Sequence, residues 1–200
     1  LREMDQRLGG LHRTDLLILA GRPGMGKSAL AMTIALNATR AYRPIYNDAG
    51  DIVDAEGAVV GVFSLEMSRE QLATRIVSEQ TRISSSDLRT GRIDKNAYLN
   101  TVVPATQELM DLPLFIDDTP ALSIAQLRSR ARRLKRQHGL GLIIIDYIQL
   151  MRPSGQKRVE NRVQELTEIT QGLKAVAKEL NVPVLALSQL SRQVEQREDK

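Results

Sequence analysis

One stretch of this sequence, Gly21-Arg22-Pro23-Gly24-Met25-Gly26-Lys27-Ser28, combines glycines, a lysine and a hydroxyl in an order suited to holding phosphate. It fits the spacing G-x-x-x-x-G-K-[S/T]. Glycines let successive backbone N–H groups turn inward onto a phosphate chain. A helix starting at the same point adds the positive end of its dipole. In such a loop the lysine neutralises the β/γ-phosphates of a nucleoside triphosphate, and the Ser28 hydroxyl is a Mg²⁺ ligand. The expected contact set is Gly21, Gly24, Met25, Gly26, Lys27, Ser28 and Ala29. A glycine-rich turn with an unrelated lysine is the plain alternative. The flanks favour the phosphate loop: an apolar run, Leu16 to Ala20, precedes it, and a helix-forming run from Ala29 to about Arg40 follows.

Hydrolysing a bound triphosphate needs more groups. Asp146 ends the run Leu142-Ile143-Ile144-Ile145, and a carboxylate at the C-terminal tip of a buried strand can hold Mg²⁺ through water. Glu66 follows the run Val59 to Leu65. If that strand lies beside the Asp146 strand, Glu66 faces the same crevice and can orient or deprotonate an attacking water. Gln189 ends the run Val184 to Gln189, where a neutral amide can sense the γ-phosphate. Taken singly, Glu66 also reads as a solvated residue before a helix cap, and Gln189 as an ordinary polar strand end. For the tips to meet, the Gln189 strand must lie between the Leu16–Ala20 strand and the Asp146 strand.

The elements that must position these residues alternate between short apolar runs and helical patterns, which predicts an α/β fold with a mostly parallel sheet. The strands are Leu16 to Ala20, Val59 to Leu65, Leu112 to Ile116, Leu140 to Tyr147 and Val184 to Gln189. Ser68 with Gln71, and Ser123 with Gln126, are capping boxes that open helices through about Gln80 and to Gly139. Asp94 caps a helix to about Met110. Val163, Leu166, Ile169, Leu173, Val176 and Leu180 recur at helical spacing until Asn181 and Pro183. Tyr42 to Ala58 is a surface excursion with turn signals that suit a hairpin.

Composition narrows the classes further. Hydrophobic residues make up 42% of the 200, too many for disorder and enough for a core. Cysteine is absent and the histidines are His12 and His138, which excludes a thiol nucleophile and disfavours a histidine-built metal site. Aromatics are 3%, against a base-stacking platform. No apolar run approaches the ~20 residues of a bilayer span, so the chain reads as soluble, intracellular and without a membrane partner. It begins at Leu1 and ends in a polar stretch, so it reads as a piece of something longer: a core over residues 1–190 and a polar tail over 191–200.

Together these residues resemble the C-terminal motor domain of the bacterial replicative DNA helicases, the DnaB family of RecA-like hexameric ATPases. The resemblance rests on the phosphate loop, Phe63-Ser64-Leu65-Glu66-Met67-Ser68, Leu88-Arg89-Thr90-Gly91, Ile144-Ile145-Asp146-Tyr147-Ile148-Gln149-Leu150-Met151 and Val184 to Arg192. It covers about Leu8 to Lys200. The phosphate loop is generic; the S-L-E-M-S and L-S-Q-L-S-R segments are far more specific. The resemblance implies a RecA-like P-loop NTPase fold with ATP and Mg²⁺ as cofactors. It implies translocation on single-stranded DNA by a homo-hexameric ring, with primase and a helicase loader as partners, in the bacterial cytoplasm at replication forks. It assigns the catalytic base to Glu66 and the γ-phosphate sensor to Gln189, and matches Arg75 to a family arginine near the nucleotide. The family's arginine finger, principal DNA loop and N-terminal domain fall outside this sequence, which implies slow hydrolysis by the chain alone. The excursion over 42–58 is longer than in family members.

Two basic stretches remain. Arg128, Arg130, Arg132, Arg133, Lys135 and Arg136 crowd one helix, either as a solvated outer face or as a subunit or nucleic-acid contact. Arg152, Lys157, Arg158 and Arg162 follow the Asp146 strand and are the candidates for DNA phosphate contact, against the reading of a surface loop. Competing functions are a RecA-type recombinase or repair ATPase, and a non-catalytic nucleotide-gated adaptor. The presence of both Glu66 and Gln189 counts against the adaptor.

Overall fold

The computed structural model describes residues 6–50, 52–152 and 162–190. In chain order its elements are β1 (Leu16–Gly21), α1 (Lys27–Arg40), β2 (Arg43–Tyr46), β3 (Ile52–Glu56), β4 (Val59–Ser64), α2 (Arg69–Thr81) and α3 (Ser85–Thr90). A helical segment follows from α4 (Lys95–Ala97) through a π-turn (Tyr98–Val102) into α5 (Val103–Asp111). Then come β5 (Leu114–Asp117), α6 (Ile124–His138), β6 (Leu140–Asp146), a 3₁₀ turn (Ile148–Leu150), α7 (Arg162–Leu180) and β7 (Val184–Gln189).

Five strands form one parallel sheet in the order β1-β7-β6-β4-β5. The Gln189 strand therefore lies between the phosphate-loop strand and the Asp146 strand, and the Glu66 strand lies on the far side of Asp146. Both neighbour relations match what the chemistry demanded of the sequence. Residues of the inner strands alternate between two apolar layers. On one side Leu142 and Ile144 of β6 pack with Leu185 and Leu187 of β7 beneath α1 and α2. On the other, Ile143 and Ile145 pack with Val184 and Ala186 beneath α6 and α7. Ile143, Ile144 and Ile145 are fully buried, as a continuous β-branched run in a central parallel strand requires.

Both capping boxes form: Ser68 and Ser123 each accept the amide of the residue three on, and Gln71 and Gln126 return a bond to the cap. Asp94 accepts from the Ala97 amide as expected, but its helix is interrupted by the π-turn. That widened turn falls next to Pro104, which supplies no helical donor. The fifth strand starts at Leu114 rather than Leu112, because Leu112 still closes the preceding helix and Pro113 has no amide for a ladder. Helix α3 was not foreseen, although its Ser84 cap and Asp87 form a recognisable start signal.

The 42–58 excursion is an antiparallel hairpin, with Arg43 opposite Glu56 and Ile45 opposite Asp54. Gly57 returns the chain to β4 with φ +65°, and a Cβ there would sit 2.4 Å from the Ala38 carbonyl oxygen. Because the obstruction is backbone, no side-chain rotation relieves it. Gly57→Ala is expected to cost about 2 kcal/mol or more and to lower the melting temperature by roughly 5 °C, which a thermal melt monitored by circular dichroism checks.

Candidate functional site: a phosphate-binding crevice at the strand tips

The loop after β1 takes a form available to its glycines: Gly24 and Gly26 have φ of +76° and +81°. Gly26 caps α1 without any side-chain hydrogen bond, and the first helical turn carries no acidic residue. The positive dipole end at this helix start is thus uncompensated by the helix's own side chains. Lys27 folds over the loop, and its Nζ donates to the carbonyls of Gly21 and Arg22, both at 2.7 Å. A Cβ on Gly21 would meet the Lys27 stem at 3.3 Å, so the glycine leaves room for that lysine.

The strand registers bring the remaining groups alongside. Gly21 is level with Gln189, and Ser64 is level with Asp146. A crevice of ≈ 390 Å³ at these tips is lined by Pro23, Gly24, Gly26, Lys27, Ser28, Ala29, Glu66, Met67, Arg75, Asp146, Tyr147 and Gln189. Glu66, Lys27, Gln189, Ser28 and Asp146, expected from their residue types and positions, share this one space with Arg75, expected from the resemblance alone. Gly21 and Met25 are not among the residues that line it: Gly21 meets Lys27 through its carbonyl, and the Met25 side chain is 73% exposed.

Asp146 is 7% exposed. Burial pushes its carboxyl above the ordinary carboxylate range, and a hydrogen bond with Ser28 and the charges of Lys27 and Arg75 partly offset that. Among the described residues no cluster of three or more His, Asp or Glu could hold a metal. The pair Ser28 and Asp146 supplies two hard oxygen donors, which suits a Mg²⁺ that takes its other ligands from phosphate and water.

Glu66 stands on a tight turn. The Ser64 hydroxyl donates to the Met67 carbonyl at 2.7 Å and accepts the Met67 amide at 3.3 Å, while the Leu65 amide donates to the Asp146 carbonyl. Below the turn, Arg69 donates its amide and two guanidinium N–H groups to Asp118, beyond the end of β5. The Arg69 amide and guanidinium hold the Asp118 carboxyl below its usual range. Sequence reading missed this support. The acidic pair Asp117-Asp118 at a strand end was its signal.

Much of the basic stretch on α6 is engaged within the fold. Arg130 pairs with Asp117, and Arg132 pairs with Glu179 of α7. Arg128 Nε lies 3.4 Å from Glu179 without a hydrogen bond, and Lys135 donates to the Leu140 carbonyl. These contacts tie α6 to β5, β6 and α7, so part of its charge serves packing of the outer layer. Arg152 is exposed, with its amide on the Leu122 carbonyl. Arg162 donates to Glu165 and to the Gln149 carbonyl. Lys157 and Arg158 lie outside the described residues. Among the described residues no helix is long and apolar enough to cross a membrane.

A parallel sheet with a phosphate loop at one strand tip and a buried carboxylate two strands away defines a P-loop NTPase of RecA-like fold. The profile of the DnaB-like helicase C-terminal domain matches residues 1–200, and the chain belongs to that family. It is 54% identical over 200 residues to the replicative DNA helicase DnaB of Rickettsia felis, covering 100% of the chain and 39% of that relative. To the replicative DNA helicase DnaB of Geobacillus stearothermophilus it is 42% identical over 198 residues, 99% of the chain and 40% of the relative. The chain thus spans about two fifths of the length of these curated relatives. Two solved structures share the fold at 32% identity. One is a DnaB-like replicative helicase described with its interactions with primase, at TM-score 0.81 over 100% of this chain and 44% of that one. The other is an ATPase domain, at TM-score 0.82 over 99% of this chain and 65% of that one.

Proposed function

We propose that this chain is the ATP-hydrolysing motor of a replicative DNA helicase. The observation that carries the reading is the convergence of Lys27, Ser28, Glu66, Asp146 and Gln189 in one crevice of a DnaB-family domain. Gly24, Gly26 and the start of α1 cradle the triphosphate, with Gly21 and the Met25 and Ala29 backbones shaping the loop. Lys27 exchanges the Gly21 and Arg22 carbonyls for phosphate oxygens. Ser28 and Asp146 hold Mg²⁺, which when bound neutralises charge on the β- and γ-phosphates. Glu66 orients the attacking water and takes its proton. Arg75 adds positive charge beside Asp146, and the Gln189 amide reads whether the γ-phosphate is present.

In a subunit of the relatives' length, six such motors form a ring around single-stranded DNA in the bacterial cytoplasm, and primase and a loader act on it. Arg152, Lys157 and Arg158 supply sequence-blind, salt-sensitive phosphate contacts, while Arg162 stays on Glu165 and the Gln149 carbonyl. The test is strand separation on a 5′-tailed fork by full-length protein carrying this chain, beside a Lys27→Ala variant. ATP-dependent unwinding that is lost in the variant is expected. ATP hydrolysis with strand exchange and no unwinding would replace the helicase by a recombinase-type ATPase. Nucleotide binding without turnover would make it an adaptor.

A further inference from the structure

The Gln189 strand end is held by a group that the hydrolysis scheme does not use. The β6–β7 ladder runs to Ile145 opposite Ala186 and stops there. Beyond that point β6 ends at Asp146 and the chain turns into the 3₁₀ segment, while β7 continues to Gln189 on its β1 side. Gln149, in that 3₁₀ turn, fills the lost ladder position with its side chain. Its Nε2 donates to the Ser188 hydroxyl at 2.9 Å and to the Gln189 carbonyl at 3.0 Å, and its Oε1 accepts the Gln189 amide at 3.2 Å. The side-chain amide thus stands in for a peptide group of the missing strand. It is a demanding position, because a donor and an acceptor are needed side by side. Glutamate lacks the donor, lysine lacks the acceptor and asparagine is one methylene short. The Gln149 main chain is engaged as well: its carbonyl accepts from the Arg162 guanidinium at the first residue of α7.

We propose that Gln149 is a positioning residue that locks the end of β7 to the turn after Asp146, so that a displacement of Gln189 is passed to α7 through Arg162. The proposal rests on the reading of Gln189 as the γ-phosphate reporter. A reporter on an unpinned strand end loses the signal as local fraying. A reporter bonded through both its amide and carbonyl moves its clamp with it. Gln149 is three residues from the metal anchor, so Asp146 and Gln189 are then tied into one unit.

Residue-resolved hydrogen exchange on full-length protein carrying this chain tests this. The states compared are saturation with Mg²⁺·ADP and with a non-hydrolysable Mg²⁺·ATP analogue. In the unmodified chain the Gln189 amide is slow, and its exchange and that of amides 162–166 differ at least threefold between the two states. Gln149→Met keeps the volume and removes both polar groups. It is expected to speed Gln189 exchange tenfold or more and to abolish the difference at 162–166, with analogue affinity within threefold and a melting temperature within 3 °C. Gln149→Glu keeps the acceptor alone and should fall between. Unchanged Gln189 exchange in Gln149→Met overturns the clamp. A nucleotide-dependent difference at 162–166 that survives in Gln149→Met, with Gln189 deprotected, reduces the clamp to a packing role and overturns the proposal. Absence of any difference in the unmodified chain overturns the reporter reading of Gln189 itself, and the proposal with it.

Discussion

Replacing Glu66 by Gln is expected to cut ATP turnover by full-length protein carrying this chain about 10³-fold, within the ~10²–10⁴ that a positioned general base contributes. Nucleotide affinity is expected to stay within about threefold. The two effects separate because different elements carry them. In the proposed scheme affinity comes from the loop amides, Lys27 and the Ser28–Asp146 pair, which the substitution does not touch. Glutamine has the same length as glutamate and sits on a turn closed by Ser64 and Met67 rather than by the Glu66 side chain. It can still hydrogen-bond a water but cannot take its proton. Losing a negative charge beside a triphosphate also favours binding slightly. Single-turnover hydrolysis alongside binding of a fluorescent ATP analogue measures both quantities. Unchanged turnover would mean that another group activates the water.

The site could be read from the sequence to the extent that its parts are contiguous. The phosphate loop carries glycines, lysine and serine within one turn, and its backbone geometry follows from that order. Asp146 could be read because Ile143–Ile145 announces a buried strand whose tip it occupies. Glu66 and Gln189 were ambiguous one at a time. What brings them together is a topological condition, and the order β1-β7-β6-β4 meets it. What remained hidden are partners far apart in the chain. Gln149 grips Gln189 across 40 residues, and Arg69 grips Asp118 across 49. Neither pairing follows from periodicity or capping rules, because both depend on which loops the sheet order brings side by side. The basic face of α6 shows the converse. Its charges are conspicuous in the sequence, yet Arg130 and Arg132 are satisfied by carboxylates on other elements.

Asp146→Asn is expected to make the protein more heat-stable while removing Mg²⁺-dependent turnover. The Asp146 carboxylate is almost fully buried, and that burial raises its pKa against the opposing effects of Ser28, Lys27 and Arg75. A carboxyl whose folded pKa lies above its unfolded value holds its proton more tightly in the folded state. As pH rises from the ordinary carboxylate value of 3.8, the unfolded chain ionises first and folding stability falls, until the folded group ionises too. Above that window the buried charge opposes folding. Asparagine keeps an oxygen for Ser28 and carries no charge. The expected gain is about 1 kcal/mol, or roughly 2–4 °C in melting temperature, and it should shrink as pH falls toward 3.8. Loss of the anionic metal ligand is expected to reduce Mg²⁺-dependent hydrolysis by about 100-fold or more. A lower melting temperature at pH 7 would show that Lys27 and Arg75 more than compensate the buried charge. Retained hydrolysis would remove Asp146 from the metal site. Both results together would leave a structural ion pair where the proposed scheme puts a metal anchor.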